Sequence, residues 1–162
     1  MALVCLDTQI VYWSWVDNDS VQDDQRPYLQ RTHQLLTLLE KQKDKVIIPS
    51  IVVAEMLVSI PQGQFAEAMS IIQSQWRVGD FDLRAAGVFA QMRQHWKERL
   101  KGVTSGESMT KAELKADLLI AATAVAHGCD ILYSHDTRLR SMCEGFITAK
   151  DLPELDTQMR LL

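Results

Sequence analysis

The chain has 162 residues, 47% of them apolar and 23% charged, with a formal net charge of −4. That length and balance fit one globular domain over 1–162 with a sizeable core, and they exclude a disordered or low-complexity chain. The acidic total gives no overall pull toward nucleic acid, although it leaves room for a local basic strip.

Ala2–Leu6 is a continuous apolar run, as a parallel strand buried on both faces should be, and Asp7 closes it. The run is too short for the core of a secretory signal, and no apolar stretch approaches the roughly 20 residues of a membrane span. A soluble, cytoplasmic protein with no membrane partner is the expectation. Tyr12 to Pro27, YWSWVDNDSVQDDQRP, is longer than a minimal connection needs and is expected to form an insertion or lid near 12–27. Trp13 and Trp15 flank Ser14, so in an extended segment they would share one face, with burial as the favoured outcome. The acids from Asp17 to Asp24 imitate a calcium loop only superficially: Gln22 stands where its glycine belongs and Tyr28 where its last acid belongs.

Helical periodicity follows over 28–42, then a second strand at Val46–Ile48 with Pro49 and Ser50 as punctuation. Further helices are predicted over 51–60, 64–76, 82–101 and 110–127, a third strand at Ile131–Tyr133 and a weaker fourth at Phe146–Thr148. Strands alternating with helices predict an α/β fold: a central, mainly parallel, twisted sheet flanked by helices. Cys5, Cys129 and Cys143 lack C-x-x-C spacing and predict reduced thiols, Cys5 and Cys129 packing as small apolar side chains.

The helix over 110–127 carries an acid in apolar company. Thr110 with Glu113 fits a capping box and Gly128 a glycine stop, which puts Asp117 in the helix interior. Its i±3 and i±4 neighbours are Glu113, Leu114, Ile120 and Ala121, while Lys111 and Lys115 stand at spacings that do not face it. Desolvating a carboxylate without a partner costs roughly 2 kcal/mol or more, so Asp117 calls for pairing, hydrogen bonding or a cation. Glu55, a turn past Ser50 as predicted N-cap, sits among Ile51, Val52, Ala54 and Val58. Ligands of open parallel sheets bind beyond the carboxyl ends of the strands, so Asp7 and Asp136 are expected on one side of the sheet.

Four carboxylates brought together repel one another unless a hard cation joins them, and Mg²⁺ or Mn²⁺ suits an open oxygen-lined site. Phosphodiester hydrolysis is the chemistry such a site serves. The simpler alternatives are that Asp7 and Asp136 cap helices, the latter over TRLRSM, and that Asp117 and Glu55 sit in structural salt bridges.

Over most of its length the chain resembles the PIN-domain nucleases, including toxin ribonucleases of VapC type. The resemblance is carried by CLDTQIV, IPSIVVAEML and KADLLIAATAVAHGCDILYSHD, in that order. It implies a compact α/β sandwich, an acidic metal site formed by Asp7, Glu55, Asp117 and Asp136, and nearby hydroxyls at Thr8, Ser50 and Ser134. It also implies metal-dependent cleavage of single-stranded or structured RNA and, for the toxin branch, an antitoxin partner and a homodimer. The chain departs from the common pattern at Gln9, Val52, Arg138 and Leu139 and keeps the four acids.

RQHWKERLK offers Arg93, Lys97, Arg99 and Lys101 as phosphate contacts with Trp96 to stack a base, and Arg138 and Arg140 follow Asp136. The plainer reading of that helix is a solvated face with Trp96 in the core. The letters SHD at 134–136 make no hydrolase triad, because consecutive side chains diverge. No glycine-rich nucleotide cradle occurs, and His33, His95, His127 and His135 lack paired zinc-ligand spacing. The functional expectation is thus an Mg²⁺- or Mn²⁺-dependent endoribonuclease. Its rival is a catalytically silent module that binds RNA or protein through the same surface.

Overall fold

The computed structural model describes residues 1–100 and 111–155. Its strands are β1 (Leu3–Leu6), β2 (Lys45–Pro49), β3 (Arg77–Gly79), β4 (Ile131–Tyr133) and β5 (Thr148–Lys150). They form one sheet in the order β3-β2-β1-β4-β5, with every neighbouring pair parallel. The α-helices are α1 (Thr8–Trp15), α2 (Arg26–Gln42), α3 (Ser50–Val58), α4 (Phe65–Gln75), α5 (Leu83–Leu100), α6 (Lys111–Ala126) and α7 (Thr137–Met142). The expected α/β architecture is therefore what the chain adopts.

The central place of β1 explains its unbroken apolar sequence. Paired on both edges and covered on both faces, Val4, Cys5 and Leu6 are fully buried with Ile47, Ile48 and Leu132. The chain winds from β1 out to β2 and β3, then returns past β1 to β4 and β5. The strand order therefore reverses between β1 and β4. Such a switch point opens a crevice at the carboxyl ends of those two strands. All three cysteines are free thiols, as predicted, and Cys143 is buried along with the expected Cys5 and Cys129.

Two sheet edges differ from the expectation. β3 went unpredicted because three residues, Arg77, Val78 and Gly79, carry too little apolar pattern. It pairs with β2 through the backbone, and a Cβ on Gly79 would stand 3.2 Å from His127 Cδ2, tighter than an ordinary contact, which suits glycine at that end. The last strand is Thr148–Lys150, not Phe146–Thr148. The amides of Phe146 and Ile147 bond the Cys143 carbonyl at 2.9 and 3.0 Å in the turn after α7, which keeps them out of the ladder.

Tyr12 to Trp15 is also corrected: these residues are helical, not extended. Asp7 starts the helix and Ile10, Val11 and Trp13 bury one side of it, so Trp13 is buried while Trp15 is half-buried. The remainder of 12–27 holds a 3-10 turn at Asn18–Ser20 and exposed acids. The glycine stop is present, Gly128 having φ +72°. The Thr110–Glu113 capping box falls on Thr110 and on the Glu113 side chain, outside the described residues. Among the described residues no helix is long and apolar enough to cross a membrane.

Candidate active site

Asp7 directly follows the last residue of β1, and its N–H bonds the Tyr133 carbonyl of β4 at 3.2 Å. Its Oδ1 accepts the Ile10 N–H at 3.2 Å as the cap of α1, and its Oδ2 accepts the Ser134 hydroxyl. Burial pushes its carboxyl up from 3.8 to about 6. Ser134 and Ile10 pull it down, while the charges of Asp136 and Asp117 add to the rise.

Ser134 is fully buried and links two acids, donating to Asp7 and accepting the Asp136 N–H at 3.0 Å. Asp136 caps α7, its Oδ1 accepting the N–H groups of Arg138 at 2.8 Å and Leu139 at 3.4 Å. Capping and site placement are therefore not alternatives for Asp7 or Asp136. In each, a second carboxylate oxygen is left for other partners.

Asp117 projects from α6 with 14% of its side chain exposed, and the Arg138 Nε–H donates to its Oδ2 at 3.0 Å. The same guanidinium reaches Asp136 Oδ2 at 3.5 Å. Burial raises the Asp117 carboxyl above its ordinary value, the Arg138 charge and hydrogen bond oppose that, and Asp136 and Glu55 add to it. The counter-charge is thus distant in sequence, beyond the reach of helical spacing. Glu55, half-buried on α3, accepts the Thr8 hydroxyl.

The four acids line one cleft of about 610 Å³ together with Thr8, Gln9, Trp13, Gln25, Tyr28 and His135. Three segment types bring them there: the ends of β1 and β4, a face of α3 and a face of α6. The donor set is all oxygen, and burial raises both Asp7 and Asp117, Asp7 without any cationic partner and Asp117 in spite of Arg138. That chemistry fits a hard divalent cation. Among the described residues, however, no three His, Cys, Asp or Glu side chains meet as a ready ligand group. Their oxygens are engaged by Ser134, Thr8 and Arg138, so a cation bound there would take over from Arg138.

Other predicted residues lie elsewhere. Ser50 is the first residue of α3, with Pro49 at the cap position and no side-chain cap bond, so the predicted cap is corrected; Ser50 does not line the cleft. Arg140 bonds the Ser134 carbonyl at 2.8 Å and Thr137 Oγ1 at 3.3 Å and lies 3.6 Å from Asp151, so it serves the frame behind the cleft. Arg93 and Lys97 are exposed on α5 and line no part of the acidic cleft. Trp96 is half-buried against the core and donates its indole N–H to the Met142 carbonyl at 3.0 Å. The Arg99 side chain and Lys101 lie outside the described residues.

The letters SHD resolve as expected: Ser134 turns to Asp7, His135 to Asp151 at 2.9 Å, and Asp136 to α7. Sequence reasoning did not place Gln25, Tyr28 or His135 in the cleft. Helical phasing from Asp7 could have placed Trp13; the other three share no spacing that points to one site.

A PIN domain family model matches residues 4–145. The fold is similar to VapBC2 from Rickettsia felis, solved bound to a DNA fragment from its promoter: 21% identity, TM-score 0.63, 93% of this chain and 99% of that one. It is similar to DNA-bound VapBC from Salmonella typhimurium, at 18% identity and TM-score 0.62 over 94% of this chain and all of that one. VapBC-5 from Mycobacterium tuberculosis, a member of the VapBC family of toxin-antitoxin systems, aligns at 18% identity and TM-score 0.50 over 96% of this chain and all of that one. No curated protein matches the chain. The strand order, the acids gathered where that order reverses, and the family match over most of the sequence lead to one conclusion: the chain belongs to the PIN domain family.

Proposed function

We propose that the chain is a Mg²⁺- or Mn²⁺-dependent endoribonuclease of VapC type. The observation that carries this reading is the convergence of Asp7, Glu55, Asp117 and Asp136, from four separate segments, on one cleft at the sheet's switch point. Hydrolysis adds water across a phosphodiester: the water oxygen bonds phosphorus, one P–O bond to ribose breaks, and the departing oxygen takes up a proton. The four acids would hold the cation, which when bound supplies positive charge against the phosphate and makes water more acidic.

The chain's own groups prepare that site. Ser134 fixes Asp7 and Asp136 in one relationship, and Thr8 orients Glu55. Arg138 neutralises Asp117 and Asp136 until a cation replaces it, after which its guanidinium is placed to meet a phosphate of the RNA. Thr8 and Ser134 complete the proposed polar surround, with Arg93 and Lys97, exposed on α5 away from the cleft, as outlying contacts for RNA that runs beyond it. On this reading the protein works in the cytoplasm, forms a homodimer and is silenced by a protein antitoxin.

The rival reading, a catalytically silent module binding RNA or protein, draws support from one observation: Arg138 already gives two of the acids a structural partner. Cleavage of a fluorescent RNA by the wild type and Asp7→Asn, with Mn²⁺ and with EDTA, decides between them. Metal-dependent cleavage lost in the variant supports the nuclease. Binding with no cleavage under Mg²⁺ or Mn²⁺ supports the silent module.

A further inference from the structure

The four acids account for only one part of the cleft lining; Trp13, Gln25, Tyr28 and His135 form another. The Trp13 and Tyr28 rings stack with centroids 4.9 Å apart and 10° between planes. His135 packs on both, 4.6 Å from Tyr28 and 5.7 Å from Trp13. Each polar member is held from one side. The Trp13 indole N–H donates to Gln25 Oε1 at 3.2 Å. Because an indole can only donate, that contact identifies the amide oxygen and leaves the Gln25 NH₂ group to donate elsewhere. His135 Nδ1 lies 2.9 Å from Asp151 Oδ1, which can only accept, so Nδ1 is the donor of that contact and Nε2 is the ring nitrogen left for another partner.

We propose that this wall is a recognition pocket for one unpaired nucleobase of the RNA strand whose phosphate lies at the acids. The inference rests on the nuclease reading and adds a specificity determinant to it. Trp13 is 3% exposed and backs Tyr28, so the ring surface offered to a base is that of the half-buried Tyr28 and His135; aromatic rings hold bases of any sequence, and losing one such contact weakens binding on the order of tenfold. The Gln25 amide donor, with the second ring nitrogen of His135 beside it, adds what stacking lacks, a preference among base edges. Both are held in place before any ligand arrives, which reduces the ordering that binding demands. The base-stacking role considered for Trp96 thus passes to residues beside the acids.

The experiment uses short fluorescent RNAs carrying an abasic residue at each position in turn. Binding is followed by anisotropy with Mn²⁺ in the Asp7→Asn chain, and wild-type cleavage of the same RNAs is followed on gels. One position is expected to lose affinity about tenfold when its base is removed. Tyr28→Leu should abolish that loss, with its unfolding midpoint as a check on folding. Gln25→Glu keeps the oxygen that meets Trp13 but exchanges the donor for an acceptor, so it should reorder the four bases at that position.

Indifference to every abasic position, or Gln25→Glu weakening all four bases equally, overturns the pocket. Should Tyr28→Leu fail to fold, Gln25→Glu decides alone. Cleavage without any base-sensitive position removes the pocket and leaves the nuclease reading standing. Base-sensitive binding without wild-type cleavage removes the nuclease reading and leaves the pocket.

Discussion

Asp7 and Asp117 are both acids drawn into apolar surroundings, yet the chain holds them by different means. At the end of β1, neutral donors serve Asp7: the Ser134 hydroxyl and the Ile10 N–H. In the middle of α6, a formal charge serves Asp117, and it comes from Arg138 on the neighbouring helix. Neutral donors leave the acid's own charge uncancelled, which is why burial can lift Asp7 as far as about 6. An ion pair cancels charge but ties the stability of two elements to one contact. The strand-end acid is thus the one waiting for positive charge, and the helix acid is the one already supplied.

The largest expected effect tests whether both acids nonetheless serve one reaction. Asp7→Asn and Asp117→Asn should each lower Mn²⁺-dependent RNA cleavage by at least about 100-fold, measured as initial rates at saturating metal. Loss in one variant alone would separate the two acids functionally and remove the intact one from the metal site.

The next effect is on stability in EDTA. Asp7 binds its proton more tightly folded than unfolded, so between about pH 4 and 6 the native state holds more protons. Unfolding free energy should therefore fall as pH rises through that window, by up to about 3 kcal/mol from Asp7, with Asp117 acting in the same direction. Asp151, whose carboxyl is held low chiefly by its hydrogen bond from His135 despite partial burial, acts oppositely and at lower pH. Urea unfolding at several pH values checks the slope, and Asp7→Asn should flatten it. Added Mn²⁺ should reverse the trend, because protons and cation compete for the same oxygens; a hundredfold excess over Kd stabilises by about 2.7 kcal/mol.

Ser134→Ala comes third. It removes the hydroxyl that ties Asp7 to Asp136 and leaves the four acids in place, so cleavage should fall about tenfold to 100-fold while the metal requirement persists. A variant as active as the wild type would show that the tie does not position the acids.

The smallest effect concerns the ion pair. Arg138 is 35% exposed at its side chain, so water screens the contact. A double-mutant cycle of Asp117→Asn and Arg138→Ala in EDTA should give a coupling of about 0.5–1 kcal/mol. On the proposed metal reading a cation at Asp117 and Asp136 would displace the guanidinium, so Arg138→Ala should also tighten Mn²⁺ about fivefold, read by titration calorimetry. Unchanged Mn²⁺ affinity would mean that Arg138 and the cation do not compete.

What the sequence made legible follows from where each signal is local. β1 could be read because a strand buried on both faces is apolar throughout, and the acid at its end is adjacent in the chain. The interior position of Asp117 could be read from helical period and the glycine stop. Its partner could not: Arg138 stands 21 residues away on another helix, and no spacing rule spans that gap. The edge strands β3 and β5, RVG and TAK, carry a single apolar side chain each of any size, Val78 and Ala149, whereas β4, equally short, is apolar throughout and could be read. For Asp7 and Asp136 the difficulty was logical, since a carboxylate's two oxygens let one residue serve as cap and cleft wall together.

Asp151 shows how far from the cleft its shape is decided. One carboxylate meets His135 at 2.9 Å, Arg140 at 3.6 Å and Arg31 at 3.9 Å. Arg31 also holds the carbonyls of Leu152 and Pro153 at 2.6 and 2.9 Å. The stretch after β5 is therefore a seam that closes α2 against the β4–α7 turn. Shortening the chain before Asp151 would unpick that seam and set the His135 ring loose. Anyone engineering the protein should treat Asp151 to Glu154 as part of its folded body rather than as a tail to be trimmed.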